Sequence, residues 1–169
     1  MRRLDADFDD FVLGRSPALL RTAALLVGDR HEAEDLLQTA LLRLARHWSR
    51  AVENPDAYVR RVMVNLACDH SRRRRRRPVQ LGSVPDVPVG DASNDDHDDL
   101  VQALRDLPER QRATVVLRFW EDLSVAETAA ILGCTEGTVK STTSKALAHL
   151  RAAIQIPQLA TAIGADDVH

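Results

Sequence analysis

Residues 124–150, SVAETAAILGCTEGTVKSTTSKALAHL, predict a helix, a tight turn and a second helix. Ser124 and Glu127 have the S-x-x-E spacing of a capping box, in which each side chain bonds the other residue's backbone N–H at the start of a helix. Gly133 follows the small apolar residues of that helix and favours a left-handed stop. Thr135 can cap the second helix. The stretch therefore predicts a helix-turn-helix unit.

The second helix of this unit has two different faces. Val139, Ala146 and Leu150 are separated by seven and four residues, so we expect them on one buried face. Short polar and cationic side chains on the outer face of such a helix suit a DNA major groove, where they reach base edges and phosphates. The residues in question are Lys140, Ser141, Ser144 and Lys145. The alternative is a surface hairpin whose polar face contacts only water.

Composition favours helices and reveals a segregation of charge. Of the 169 residues 44% are apolar but only 4% are aromatic, so a core must be built from leucine, valine and alanine. The net charge of −2 suggests no nucleic-acid partner. However, residues 1–77 carry 16 arginines against 11 acids, whereas residues 78–99 carry six aspartates and no base. A basic segment therefore adjoins an acidic one.

Residues 78–98 predict a flexible acidic linker, because they contain three prolines, two glycines and no helical periodicity. Such a segment could extend to about 70 Å at ~3.4 Å per residue, which equals roughly 20 base pairs of DNA at ~3.4 Å each. We therefore predict an all-α chain of two small helical domains. The predicted parts are residues 1–77, the linker 78–98, residues 99–155 and a C-terminal tail at 156–169.

Each domain has helical periodicity. Residues 5–27 predict one helix or a pair in which Pro17 opens the second, and residues 31–48 predict the next helix. A third helix is expected over residues 56–74, with Asn54 as its cap. The second domain is expected to begin with a short helix from about residue 99, followed by a helix over residues 109–120. The side chains expected to point inward are Val59, Val62 and Leu66 in the third helix, with Met63 as a further candidate, and Ala113, Val116, Leu117 and Trp120 in the last.

The third helix also carries a polar stripe at steps of three or four residues. An aromatic ring, an amide and guanidinium groups on one face can stack on a base, bond its edge and hold its phosphates. An ordinary solvated helix face is the alternative. The stripe consists of Tyr58, Arg61, Asn65, Asp69 and Arg72.

A run of six arginines, residues 72–77, follows on the same helix. Blocks of like charge are usually solvated or disordered. Because this run extends a predicted helix, it favours contact with a phosphate backbone, with a localisation signal as another option.

No enzyme, metal or cofactor pattern is present in the sequence. Cys68 and Cys134 have no ligand spacing, and two unpaired thiols fit a reducing compartment. Cys68, Asp69 and His70 are consecutive, so on a helix they point in different directions and form no catalytic set. There is no glycine-rich phosphate loop. Without an apolar signal or membrane-spanning run, we expect a cytoplasmic chain that does not insert into membranes.

Four segments together resemble the extracytoplasmic-function (ECF) sigma factors of the sigma-70 superfamily, which direct bacterial RNA polymerase to promoters. GDRHEAEDLLQTALLRLARHW resembles the core-binding helix of sigma region 2, and NPDAYVRRVMVNLACDHSRRRRR the helix that melts the −10 element. LRDLPERQRATVVLRFWEDLSVAETAAILGC resembles the start of sigma region 4, and TEGTVKSTTSKALAHLR its −35 recognition helix. They lie in the family's order and spacing.

The resemblance implies a set of binding residues and partners. Core polymerase would be bound, through the clamp helices of its largest subunit, by Asp35, Gln38 and Leu41, and its flap would meet region 4. The −10 element would be bound by Tyr58, Arg61, Asn65, Asp69, Arg72 and Arg73. The −35 element would be bound by Thr138, Lys140, Ser141, Ser144 and Lys145. Promoter DNA is then the second partner, and an anti-sigma factor is a third that such proteins commonly have. No cofactor is implied.

Two points stand beside this resemblance. Thr142 and Thr143 occupy positions where many relatives have a basic residue, so fewer phosphate contacts and a flatter salt dependence are expected at −35. The rival hypothesis is a stand-alone helix-turn-helix regulator that binds an operator without polymerase. It accounts for residues 100–154 but gives no role to the polar faces of residues 1–77.

Overall fold

The structure, a computed structural model, describes residues 2–51, 53–76 and 95–154, and the side chains of residues 6–48, 53–70 and 99–154. Most of the predicted linker and the tail at 156–169 lie outside the described residues. The described part confirms the all-α class, with two helical regions. Its elements are α1 (Arg2–Val27), α2 (Arg30–Ala51), α3 (Pro55–Arg76), α4 (Asp95–Asp106), α5 (Glu109–Val115), a π-helical turn (Val116–Trp120), α6 (Val125–Leu132) and α7 (Glu136–Ala153).

The first module, α1–α3, is fixed by local signals at its helix ends. α1 is one continuous helix with Pro17 inside it, so of the two predicted alternatives the single helix is formed and the pair is not. Before α2, the Asp29 carboxylate accepts a hydrogen bond from the backbone N–H of Glu32 at 2.9 Å. Before α3, the side-chain oxygen of Asn54 accepts from the N–H of Ala57 at 3.0 Å, which confirms the predicted cap.

The core of the first module corrects part of the predicted stripe on α3. Val59 and the further candidate Met63 are fully buried, but Val62 and Leu66 are only half-buried, and Val64 and Ala67 are buried in addition. The reason is that α3 packs against α1 and α2 on one side and against α5 and α6 on the other. A helix that is covered on two sides buries more than the single stripe that periodicity predicts.

The second module, α4–α7, contains a helix-turn-helix that agrees with its sequence signals. The Ser124 hydroxyl accepts from the N–H of Glu127 at 3.1 Å, and the Glu127 carboxylate accepts from the N–H of Ser124 at 2.8 Å. Gly133 has φ 61° and ends α6 in the left-handed conformation. The Thr135 hydroxyl caps α7 by accepting from the N–H of Thr138 at 3.1 Å. The expected inward residues of α7 are buried, namely Val139, Ala146 and Leu150.

Loss of the first cap has a predictable effect on stability. We expect Ser124→Ala to lower the free energy of unfolding by about 1 kcal/mol, because the backbone N–H of Glu127 loses its side-chain partner. Urea unfolding measures the difference, with Ser144→Ala, an exposed serine away from any helix end, as the control. Equal effects of the two substitutions would contradict a specific capping role.

The same cap gives a pH dependence of known sign. Hydrogen bonds from the Ser124 side chain and backbone lower the pKa of Glu127 from its ordinary value of 4.5. A carboxylate whose pKa is lower in the folded state stabilises the fold above its unfolded pKa, and that contribution is lost as the pH falls through the folded pKa. The difference between wild type and Ser124→Ala should therefore shrink below pH 4.5.

The helix predicted over residues 109–120 is interrupted. After Val115 the chain forms a wider turn, in which the N–H of Glu121 donates to the carbonyl of Val116 at 3.0 Å. Ala113, Val116 and Leu117 are buried as predicted, but Trp120 is 48% exposed and the prediction for it is wrong. The wider turn changes the angular position of the residues at its C-terminal end about the helix axis, which moves Trp120 off the buried stripe.

The start of the second module and its position also differ from expectation. α4 begins at Asp95, four residues before the expected start near residue 99. Carboxylates in the first turn favour this earlier start, because they oppose the positive end of the helix dipole. The two modules pack against each other, with α3 in contact with α5 and α6 and α1 in contact with α4.

Candidate nucleic-acid interface

The outer face of α7 presents the residues expected to meet the −35 duplex, and Thr138, Lys140, Ser141, Ser144 and Lys145 are all exposed. The Ser141 hydroxyl donates to the carbonyl of Thr138 at 3.1 Å, and the Thr138 hydroxyl bonds that of Thr135 at 2.9 Å. Among the described residues, neither lysine forms an ion pair. Two cations and the free Ser144 hydroxyl are therefore available for phosphates and base edges.

The two threonines beside this face do not replace the missing basic residues. Thr142 and Thr143 are half-buried, and the Thr143 hydroxyl donates back to the carbonyl of Val139 at 2.8 Å. That hydroxyl is engaged by its own helix. Lys140 and Lys145 thus supply the positive charge in this part of α7.

The polar stripe on α3 is brought together on one surface. Arg61, Asn65 and Asp69 are exposed, while Tyr58 is half-buried beside His47, with its hydroxyl 3.4 Å from Nδ1. The arginine run continues α3 as far as Arg76. The side chains of the other two predicted members, Arg72 and Arg73, lie outside those that the structure describes.

The α3 stripe faces a cleft between the modules. A cavity of 380 Å³ has Asn65 and Asp69 on one side and Arg110 and Leu132 of the second module on the other. Arg43 of α2 also lines it. Sequence reasoning predicted neither arginine here, because no local spacing indicates that α2, α3 and α5 meet.

The residues expected to bind polymerase lie on two neighbouring surfaces of α2. Gln38 is exposed and Leu41 is half-buried, and both line an apolar groove of 340 Å³ between α1 and α2. Asp35 is exposed but lines a separate cavity with His70. Leu42, which sequence reasoning missed, is 56% exposed in the groove. A leucine outside the buried stripe of an amphipathic helix was the available signal.

Comparison with known proteins assigns both modules to one family. The family model of sigma-70 region 2 matches residues 12–77, and that of sigma-70 region 4 matches residues 97–150. The RNA polymerase sigma-E factor of Streptomyces avermitilis is 45% identical over 150 residues, which cover 86% of this chain and 83% of the relative. The chain belongs to the sigma-70 family of RNA polymerase sigma factors, in its ECF group.

Further relatives of this sigma factor support the same family assignment. The ECF RNA polymerase sigma factor SigM of Mycobacterium tuberculosis is 34% identical over 151 residues, covering 85% of this chain and 74% of the relative. A solved structure of the sigma factor RpoE from Bartonella quintana, in complex with the anti-sigma factor NepR, matches with a TM-score of 0.76 and 28% identity. That match covers 90% of this sigma factor and 99% of the matched chain, so it includes both modules.

Residues 2–51, 53–76 and 95–154 contain neither a candidate metal site nor a helix that could span a membrane. No group of three or more histidine, cysteine, aspartate or glutamate residues there could hold a metal ion. None of the helices described is long and apolar enough to cross a membrane. Sigma factors are transcription initiation factors.

Proposed function

We propose that this sigma factor assigns a different partner to each of three helices. α2 binds core RNA polymerase, α3 binds the −10 element after the strands separate, and α7 binds the −35 duplex. The observation that carries the proposal is that the outer faces of α3 and α7 are both exposed and polar but differ in chemistry. α3 offers a ring, an amide and guanidinium groups, whereas α7 offers short hydroxyls and two lysines.

The polymerase contact is proposed at Asp35, Gln38 and Leu41, against the clamp helices of the largest subunit. An apolar groove beside exposed polar groups suits a helical partner, because the groove accepts leucine-like side chains while the rim fixes the register. The second module is proposed to contact the flap. Catalysis of RNA synthesis remains with the polymerase, and this chain acts as its specificity subunit, in the cytoplasm where the polymerase works.

The −10 contact is proposed to stabilise separated strands. Extruding a base costs a few kcal/mol, which stacking and edge hydrogen bonds must offset. Asn65 can bond a base edge with both its amide oxygen and its amide nitrogen, Tyr58 supplies a ring, and Asp69 accepts from an exocyclic amine. Arg61, Arg72 and Arg73 are proposed to hold the adjoining phosphates, which set position rather than sequence.

The −35 contact is proposed to place α7 in the major groove. Thr138, Ser141 and Ser144 are short enough to let the helix approach base edges, while Lys140 and Lys145 neutralise phosphates. With two lysines in this part of the helix, the electrostatic share of −35 affinity should be small.

Replacing a lysine of α7 tests the proposed phosphate contacts at the −35 duplex. We expect Lys140→Ala to weaken binding to a −35 duplex and to reduce the slope of log affinity against log salt by about 1, since one phosphate contact is lost. Fluorescence anisotropy over a salt series measures both quantities, with the exposed Arg46→Ala on α2 as the charge-matched control. An unchanged slope for Lys140→Ala would remove this lysine from the interface.

The remaining assignments follow the same scheme. We propose residues 1–77 as region 2, residues 78–98 as the linker, residues 99–155 as region 4 and residues 156–169 as a tail. An anti-sigma factor is a proposed third partner, supported by the likeness to the Bartonella quintana sigma factor solved with NepR.

Co-purification separates this proposal from the stand-alone regulator. A tagged full-length chain mixed with sigma-free core polymerase should elute with the polymerase in gel filtration. Asp35→Ala combined with Gln38→Ala should elute separately while keeping wild-type affinity for a −35 duplex. If the wild type bound duplex DNA but never the polymerase, the stand-alone regulator would be the correct function.

A further inference from the structure

One carboxylate joins the second module to two helices of the first. Glu121 follows the π-helical turn, and its Oε2 accepts from the Arg60 guanidinium of α3, at 2.7 Å from Nε and 2.6 Å from Nη2. Its Oε1 accepts from the Thr22 hydroxyl of α1. The Arg60 and Glu121 side chains are only 13% and 10% exposed, so the contact lies inside the interface and is little screened by solvent.

The backbone around Glu121 has an unusual shape that serves this contact. The turn before it is π-helical, and Asp122 after it has φ 51°, the only positive φ of a non-glycine residue in the described part of the chain. Each of these conformations is disfavoured in isolation and is kept where the surrounding structure requires it. Together they direct the Glu121 carboxylate toward α1 and α3 instead of toward solvent.

Two arginines of the second module contact the end of α1 nearby. Arg112 donates from Nη1 to the carbonyl of Leu26 at 3.0 Å. Burial of this guanidinium lowers its pKa, so the contact is largely dehydrated. Arg105 packs on Gly28, where a Cβ would lie 3.0 Å from the arginine Cγ. The interface is therefore built from several matched contacts between the modules.

This arrangement is incompatible with binding DNA at two separated elements. A compact chain of this size is roughly 35–40 Å across, whereas an extended linker of 21 residues reaches about 70 Å. In this docked arrangement, called the closed form below, the second module also borders the α3 stripe, since Arg110 and Leu132 face Asn65 and Asp69 across the cleft. A DNA strand on α3 would have to enter that cleft.

We propose that Glu121 is an intramolecular latch, whose ion pair with Arg60 holds the second module closed against the first, beside the α3 stripe, until polymerase binding separates them. The opening step rests on the proposed function. Polymerase would separate the modules because its clamp and its flap bind them at two separate places. If most molecules are closed, the apparent affinity for polymerase is the affinity of the open form multiplied by the fraction of molecules that are open.

Small-angle X-ray scattering of the full-length chain tests the latch without polymerase or DNA. We expect Glu121→Gln to raise the radius of gyration by about 5–10 Å, because two modules on a linker replace one compact body. The matched control is Asp56→Asn, which breaks the Arg15–Asp56 ion pair at 2.8 Å between two helices of the first module. It should leave the radius unchanged.

Two further variants distinguish opening of the interface from misfolding of Glu121→Gln. The charge exchange Arg60→Glu with Glu121→Arg should restore the wild-type radius. Thr22→Val, which keeps the shape of the side chain but removes its donor, should open the chain in the same direction by a smaller amount. The latch is refuted if Glu121→Gln stays as compact as wild type, or if Asp56→Asn opens the chain equally.

A second measurement distinguishes failure of the latch from failure of the proposed function. Glu121→Gln should bind sigma-free core polymerase roughly tenfold more tightly than wild type if about a tenth of wild-type molecules are open. If neither protein binds polymerase, the proposed function fails while the scattering result still decides the latch. If both bind with equal affinity, the latch does not restrain assembly and the proposal is overturned.

Discussion

Leu42→Asp is expected to weaken binding to core RNA polymerase about 100-fold while leaving the fold unchanged. Leu42 is 56% exposed on α2, so its side chain contributes little to the core of the free protein. In the complex, a polymerase helix that fills the groove would cover it. Loss of about 1.5–3 kcal/mol of apolar burial, together with desolvation of a carboxylate, accounts for an effect of that size.

The groove gives this prediction its specificity. Leu42 lines the same 340 Å³ depression as Gln38 and Leu41, two of the residues proposed to bind polymerase. Leu13 on α1 is an apolar residue that is even more exposed, at 77%, and it does not line the groove. Leu13→Asp is therefore the matched control and should keep wild-type affinity in a titration against core polymerase.

Two outcomes would contradict the position of the polymerase surface. If Leu13→Asp and Leu42→Asp weakened binding equally, the loss would reflect general charge effects. If Leu42→Asp bound as tightly as wild type, the groove would be free in the complex. Thermal unfolding of both variants should lie near wild type, because neither side chain is buried.

Asn65→Ala is expected to reduce open-complex formation 10- to 100-fold without affecting assembly with polymerase. Asn65 is exposed on α3, and its amide has no hydrogen-bond partner among the described residues, so both amide groups are available to a base. A good bidentate contact to a base edge contributes about 1–3 kcal/mol. The alanine variant loses that contribution after strand separation, while the α2 surface is unchanged.

Permanganate footprinting of unpaired thymines measures strand separation, and a pull-down measures assembly. Gln102→Ala removes a comparable exposed amide from α4, far from the α3 stripe in sequence, and should behave as wild type in both assays. Equal loss of footprint and of polymerase binding for Asn65→Ala would refute the assignment of Asn65 to the −10 strand.

The parts of the fold that the sequence predicts correctly depend on residues a few positions apart. Ser124 and Glu127, Thr135 and Thr138, and Gly133 each act within one helix turn, so their spacing alone indicates their hydrogen bonds and conformation. The exposed face of α7 follows from the same periodicity. Such features can be predicted from the local sequence without knowledge of the tertiary packing.

The features that escaped prediction depend on contacts between distant segments. Val64 is buried because the second module covers α3, and Trp120 is exposed because the π-helical turn changes the helical register. Arg60 and Glu121 are 61 positions apart, so no spacing rule relates them. The sequence predicts two modules and a linker, but the docking of those modules is determined by side chains that are matched only in three dimensions.

The docking of the two modules places the α3 stripe and the α7 face in different surroundings. Taken from the sequence, the α3 stripe and the α7 face are two independent surfaces. In the structure the α3 stripe borders the second module, whereas α7 keeps its outer face exposed. A duplex could therefore meet α7 in the closed chain, whereas a separated strand that contacts Asn65 and Asp69 would lie against Arg110 and Leu132 of the second module.

Transcription initiation in a reconstituted system tests the central claim most directly. Purified chain would be added to sigma-free core polymerase on fragmented bacterial genomic DNA, and the run-off transcripts would be sequenced, with core polymerase alone and with a housekeeping sigma factor as controls. The account predicts new start sites that share two upstream sequence elements about two helical turns apart. If the housekeeping control initiated normally and this chain produced no start site on any template, the chain would not act as a promoter-specificity subunit.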